Sequence, residues 1–141
     1  MIMFTNMTPQ YTQEQVYKKV KNYILSTLKT NDNNVTSDDK TFTELLNHGF
    51  LILKPIHGFG WTIDKAVIDF KIHIYFKNGR LKLLINNISY QAENMAPDPN
   101  IGVYEKVRNK KFKQAVNDAL SDLVAGVEKA IQDQSAMNDN W

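Results

Sequence analysis

Apolar and polar residues alternate along two long runs between Ile63 and Tyr90, and Asn78-Gly79 stands midway between them. Asn-Gly supplies the two positive-φ residues of a type I′ turn, whose twist suits the strands it joins. With these two residues as the loop, Lys77 faces Arg80 and the remaining pairs follow. Phe76, Ile74, Ile72 and Phe70 meet Leu81, Leu83, Ile85 and Asn87 on one face. The other face pairs Tyr75 with Lys82, His73 with Leu84, Lys71 with Asn86 and Asp69 with Ile88. The first face is greasy and the second is mixed, as in an antiparallel sheet with one side on a core and the other largely wet.

The flanking segments read as two helices and further strands. Residues 2–7 are apolar enough for a short strand, and Pro9 interrupts it. Thr12 and Gln15 form a capping-box pattern, with Glu14 in the first turn, and predict a helix from about Gln13 to Lys29. Val16, Val20, Ile24 and Leu28 make its buried stripe, flanked by Tyr17 and Tyr23, while Lys18, Lys19, Lys21 and Lys29 decorate the rest. Asn31-Asp32-Asn33-Asn34 is a turn cluster, a strand starts near Val35, and Asp38-Asp39-Lys40 makes a polar turn or edge. Phe42 to Leu53 holds another strand, centred on residues 49–53 and ended by Pro55, and Ile56 to Trp61 reads as a Gly-aromatic loop. Pro97-Asp98-Pro99-Asn100 is a rigid connection. From about Tyr104 or Lys111 to Gln132 a second helix carries Phe112, Val116, Ala119, Leu120, Leu123, Val127 and Ile131 on one stripe. Lys113, Asn117, Asp118, Asp122 and Glu128 face outward.

The order is strand, helix, four strands, helix. It predicts a two-layer α+β arrangement in which an antiparallel sheet of about five strands carries both helices on one face. The chain has 141 residues, which suits a single domain over residues 1–133, with residues 134–141 as a flexible tail.

Composition narrows the chemistry. The chain has no cysteine, which excludes disulfides, thiolate zinc sites and cysteine nucleophiles. Its 17 basic and 15 acidic side chains leave a net charge of +2, too balanced to imply a polyanion partner without local clustering. The first residues lack the basic segment and the roughly 7–15-residue apolar stretch of a signal peptide. No run approaches the ~18 apolar residues of a membrane-spanning helix. A mature form from which a signal was removed is compatible with this start, and the compartment stays open.

The run Lys77-Asn78-Gly79-Arg80-Leu81-Lys82, followed by Asn87-Ile88-Ser89-Tyr90, resembles the strand-turn-strand core of an uncharacterised bacterial family, DUF4468, described as having a TATA-binding-protein-like fold. The Thr-Gln-Glu helix start and Val35-Thr36-Ser37-Asp38-Asp39-Lys40 are similar to that family's early segments, so the resemblance covers roughly Phe4 to Tyr90. It implies the same fold, an origin in Gram-negative gut-type bacteria and, in many members, export. It brings no activity, catalytic residue or transcription-factor role, because a fold does not confer a function.

Candidate sites are few. His48, His57 and His73 have no metal-site spacing, and Asp64 and Asp69 fall on opposite sides of a strand. No Gly-x-Ser-x-Gly elbow is present, and Gly58-Phe59-Gly60 lacks the helix and Lys-Ser/Thr pair of a phosphate loop. Catalytic, metal and cofactor sites are therefore not assigned. The mixed sheet face, with Lys71, His73, Tyr75, Lys82 and Leu84, together with Phe59 and Trp61 of the Gly-aromatic loop, is the candidate binding surface. Lys106, Arg108, Lys110, Lys111 and Lys113 form a candidate anion patch at the start of the second helix, where the macrodipole favours acidic residues instead. The leading expectation is a non-enzymatic module that contacts a protein or cell-surface partner through the open sheet face, a second copy of the chain being one such partner. The alternatives are a nucleic-acid-binding module using the sheet and the basic cluster, and a small hydrolase-like enzyme without a recognisable motif. Residues 92–103 are able to decide the first of these, by covering the sheet face or leaving it open.

Overall fold

The alternating runs become two long antiparallel strands, β6 (Ala66–Lys77) and β7 (Arg80–Ala92), with Lys77 opposite Arg80 as a two-residue loop requires. Asn78 and Gly79 themselves lie outside the described residues: the computed structural model describes residues 2–6, 11–28, 35–37, 42–77, 80–95 and 98–132. The turn cluster 31–34, the segment 38–40 and the tail 134–141 also lie outside them.

Around this hairpin the remaining strands assemble in the order β1-β7-β6-β3-β2. Here β1 is Ile2–Asn6, β2 is Val35–Ser37 and β3 is Glu44–Leu53. A short strand not anticipated from the sequence, β8 (Ile101–Val103), pairs with Ser89–Gln91 of β7, in line with β1 on the same edge. The main sheet thus has six strands, all antiparallel. The expected Gly-aromatic loop is instead a small hairpin, β4 (Ile56–Gly58) and β5 (Trp61–Ile63). Gly60 takes φ +75°, the conformation that the third residue of a type II turn requires. A β-carbon at Gly58 would fall 1.9 Å from Trp61 Cε2, so the indole lies flat on the glycine.

Both helices, α1 (Gln13–Thr27) and α2 (Lys110–Gln132), cover one face of the sheet, giving the two-layer α+β architecture. Thr12 and Gln15 cap α1 reciprocally, at 3.2 Å and 2.9 Å. Val16, Val20, Ile24 and Leu28 are buried as the periodicity requires, and Tyr17 packs edge-on between Phe42 and Phe76. The helices meet where Tyr23 lies over Gly126, since a β-carbon there would come within 1.7 Å of the phenol oxygen. Lys19 departs from its expected place on the wet face and is only 5% exposed. Its ammonium sits 3.8 Å from the Tyr11 ring centroid and donates to the Ile131 carbonyl at 3.2 Å, satisfying an orphan acceptor in the last turn of α2.

The register matches the sequence expectation from Lys77/Arg80 back to Lys71/Asn86 and then shifts by one residue, so that Asp69 faces Ser89 rather than Ile88. Asn87, at φ 55°, is the extra residue of a β-bulge. Its effect is a change of phase. Leu81, Leu83 and Ile85 point to the core before it, and Tyr90 and Ala92 do so after it. Unbroken alternation would bury Ser89 and Gln91 and expose Tyr90, forfeiting about 2–3 kcal/mol for that side chain alone.

A strap of residues 93–109 leads from β7 to α2 (Ala96 and Pro97 excepted from description) and is pinned by Asp98, which is 6% exposed. Its carboxylate accepts the backbone N–H groups of Arg108 and Asn109 at 2.9–3.1 Å and lies 3.5 Å from the Arg108 guanidinium. Asn109 then caps α2 by accepting from the N–H groups of Lys111 and Phe112. Beside this strap Tyr90 donates to the Pro99 carbonyl at 2.9 Å. Burial, and then the nearby Asp98 charge, push the Tyr90 hydroxyl above the ordinary phenol value; burial does the same to Tyr104.

Two outcomes follow from these contacts. Asn87→Ala costs about 1 kcal/mol in urea unfolding because alanine resists positive φ, Asn87→Gly is nearly neutral, and deletion of the residue is severe. For Tyr90, a folded-state value raised above that of the unfolded chain means stability is intact below about pH 10 and falls as pH climbs through the folded value. Tyr90→Phe therefore shows a shallower alkaline loss of stability in a pH series, while costing about 1 kcal/mol at neutral pH for its lost hydrogen bond.

Candidate functional site

Among the described residues, the face of the sheet opposite the helices is built by those that alternate with the core. β3 contributes Glu44, Leu46, His48, Phe50 and Ile52; β6 contributes Val67, Asp69, Lys71, His73 and Tyr75. On β7, Lys82, Leu84 and Asn86 continue the rows, then Ser89 and Gln91 after the bulge. Residues 101–103 do not cover this face: β8 extends the sheet sideways and adds Ile101 and Val103 to it.

The two ends of the face differ in chemistry. Towards the β6–β7 turn, Glu44, His73, Tyr75 and Lys82 form one connected group. His73 Nε2 is hydrogen-bonded to the Glu44 carboxylate, and the Tyr75 hydroxyl lies 3.0 Å from His73 Nδ1. One tautomer serves both contacts, with Nε2–H donating to the carboxylate and the phenol donating to Nδ1. The His73 and Tyr75 rings stack at 4.1 Å, and the Lys82 ammonium stands 5.9 Å from the Tyr75 ring centroid. Lys71 is exposed and Leu84 half-buried in neighbouring rows. In this carboxylate–imidazole–phenol chain Glu44 and Tyr75 are exposed and His73 is half-buried.

At the other end the face is apolar. Among the described residues six large hydrophobic side chains are exposed, and five of them, Phe50, Ile52, Tyr75, Ile101 and Val103, belong to this one face. Ile52 and Ile101 are 64% and 67% exposed. They and their neighbours Phe50 and Val103 stand on β3 and β8, on either side of a strip of Val67, Asp69, Ser89 and Gln91, where Ser89 donates to Asp69. Alternation on β6 and β7 points only to the polar end; Phe50 and Ile52 follow from alternation along β3, and Ile101 and Val103 join the face only once β8 pairs with β7 beyond the phase change at Asn87.

Phe59 and Trp61 part company in the structure. Trp61 folds back onto Gly58 and the core, whereas Phe59 is fully exposed at the tip of the β4–β5 hairpin. That hairpin follows the Leu53/Ala66 end of the sheet and leans on α2, through Lys111 donating to the His57 carbonyl at 2.9 Å. Nine residues of extended β6 separate it from Tyr75, roughly 30 Å, so Phe59 and the His73 group are not one surface. The basic cluster is likewise distributed. Arg108 is held by Asp98, Lys111 by His57, and Lys106 and Lys110 are exposed, with Lys113 half-buried; Lys110, Lys111 and Lys113 are on α2 and the other two in the strap before it.

The helix side also holds a cleft of about 780 Å³ that nothing in the sequence pattern announced. One wall is α2, where Ala115 and Ala119 leave room; the other is formed by Leu51, Leu53 and Ile56, with Tyr23 and Thr27 of α1 at the end. Lys54, Lys111, Asp118 and Asp122 also line it, and all four are exposed. Among the described residues no cluster of three or more potential metal ligands occurs, and no helix is long and apolar enough to cross a membrane.

Comparison with known proteins places this architecture. The model of the family described as a domain of unknown function (DUF4468) with TBP-like fold matches residues 6–91. Two crystal structures share the fold. A DUF4468 family protein from Bacteroides ovatus ATCC 8483 is 16% identical with a TM-score of 0.64, over 93% of this chain and 84% of that one. A TBP-like protein from Parabacteroides distasonis ATCC 8503 is 13% identical with a TM-score of 0.67, over 94% of this chain and 92% of that one. No curated protein matches the chain. With more than half of its length matched by the family model and its two-layer fold shared with these structures, the chain belongs to the DUF4468 family of TBP-like domains of unknown function.

Proposed function

We propose that this domain is a binding module that holds a protein partner against the outer face of its sheet. The observation that carries the reading is the gathering of five of the six exposed large hydrophobic side chains on that face. Isolated exposed apolar residues are ordinary, but a grouped set rimmed by polar side chains marks an interaction surface. Phe50 and Ile52 on β3 stand three strand spacings from Ile101 and Val103 on β8, about 14 Å, which is enough to seat a helix about 10–12 Å wide between the two pairs. The His73, Tyr75 and Lys82 group at the far end supplies directional contacts that would set the partner's orientation.

The nucleic-acid alternative draws less support, because its cations are divided between layers. Lys71, Arg80 and Lys82 lie on the outer face beside Glu44 and Asp69, while Lys110, Lys111 and Lys113 belong to α2 in the other layer.

The reading is tested with immobilised domain, as wild type and as the Phe50→Lys/Ile101→Lys double variant, in extracts of the bacterium that encodes it. A protein retained by the wild type falls at least tenfold with the variant, while the circular dichroism of the two domains stays the same. Equal retention by both, or retention of neither, counts against the proposal. Retained nucleic acid that is released steeply by salt would transfer support to the alternative. A concentration-dependent doubling of mass, abolished by the variant, would identify the partner as a second copy of the chain.

A further inference from the structure

The cleft on the helix side meets the outer face only at Ile52, at the end of β3, and α2 orders charges along its length. α2 presents Lys111, Asp118 and Asp122 to it in sequence. At 1.5 Å per residue, Lys111 precedes Asp118 by roughly 10 Å and Asp122 by roughly 16 Å along the helix axis. Lys54, which follows β3, also lines the cleft and precedes by three residues His57, whose carbonyl Lys111 holds. The Lys111 ammonium is already fixed by the His57 carbonyl, which uses one of its three donors and leaves two. At the acidic end Gln114 donates to Asp118 at 2.8 Å, and among the described residues neither Asp118 nor Asp122 has a cationic partner. Two carboxylates four residues apart on a helix repel each other, and a cation between them relieves that repulsion. The helix dipole acts in the same sense, since its positive end lies on the Lys111 side.

Between these ends the walls are apolar, from Leu51, Leu53 and Ile56 across to Ala115 and Ala119. A volume of about 780 Å³ falls within the range of sites that take small ligands. We infer that this cleft binds a short apolar peptide with free termini, its ammonium between Asp118 and Asp122 and its carboxylate at Lys54 and Lys111. The length follows from the spacing. Four extended residues span roughly 13 Å, which lies between the two axial distances set by α2. A longer chain with internal peptide bonds at these positions offers no charge to either end.

Titration calorimetry and amide chemical-shift mapping with the tetrapeptide Leu-Ala-Val-Leu test the inference on the whole chain. The free peptide shifts amides of α2, β3 and β4. N-acetylation and C-amidation each weaken binding about tenfold, as loss of a charge-assisted contact at a solvent-accessible rim requires. Asp118→Asn/Asp122→Asn weakens the free peptide to the same degree and leaves the acetylated peptide unchanged; Lys54→Gln/Lys111→Gln does the same for the amidated one. These four positions are on the surface, so the variants keep the fold, and Ala119→Trp, which fills the cleft, abolishes binding of every peptide. Equal affinity for free and doubly blocked peptides overturns the inference, as do shifts confined to the outer sheet face or an absence of heat and shifts at millimolar peptide. Ile52 is the one outer-face residue named above that also lines the cleft, and neither test substitutes it, so failure here leaves the partner reading standing, and failure of that reading leaves this one.

Discussion

The dryness of one face of the β6–β7 hairpin is the constraint on which the other parts depend. Strand side chains alternate strictly, so burying Ile68, Phe70, Ile72, Ile74 and Phe76 commits every residue between them to the opposite side. The buried face then needs a cover, and only the stripes of α1 and α2 provide one. α1 leaves β1 at one edge of the sheet and delivers the chain to β2 at the other, so it must cross the inner face. α2 lies beside it, fitted by Gly126 under Tyr23 and tied by Lys19 to its last turn. With both helices on one side, the outer face receives no cover from either. The open surface is a consequence of the core and not a separate feature.

Local periodicity made much of this legible from the amino-acid sequence. The capping box at Thr12, the stripes of both helices and the pairing from Lys77/Arg80 to Lys71/Asn86 are short-range patterns, and each holds in the structure. What stayed hidden depends on distant partners. Lys19 carries no sign that Ile131, far along the chain, will offer it a carbonyl. Ile101-Gly102-Val103 is too short to read as a strand until β7 lies alongside it, with Gly102 against the Tyr90 phenol. The bulge did leave a trace, since the apolar positions of β7 pass from odd to even numbers after Ile85, through Ile88, Tyr90 and Ala92. That trace is visible only when the register is followed along the whole strand.

The candidate sites divide in the same way. His73, Tyr75, Lys82, Lys71 and Leu84 were legible as one face because alternation alone places them there. The apolar end of that face required β8, and the cleft required two helices and the end of β3 to be brought together. The basic cluster looked misplaced at a helix start, yet Asp98, eleven residues before Asn109, brings the negative charge that the first turn favours. Clustering in sequence therefore overstated the free positive charge, because part of it is used to close the strap.

Asn87 also sets a rule for comparing this chain with its distant relatives. A single residue in a left-handed conformation works like a frameshift in the polarity pattern of β7: every position after it exchanges its core and solvent roles. A relative without the extra residue keeps the same fold only if its apolar residues stay in the odd frame to the end of the strand. Gap placement at this point can thus be judged by burial phase even where residue identity has faded, and a misplaced gap would assign Ser89 and Gln91 to the core and Tyr90 to the outer face.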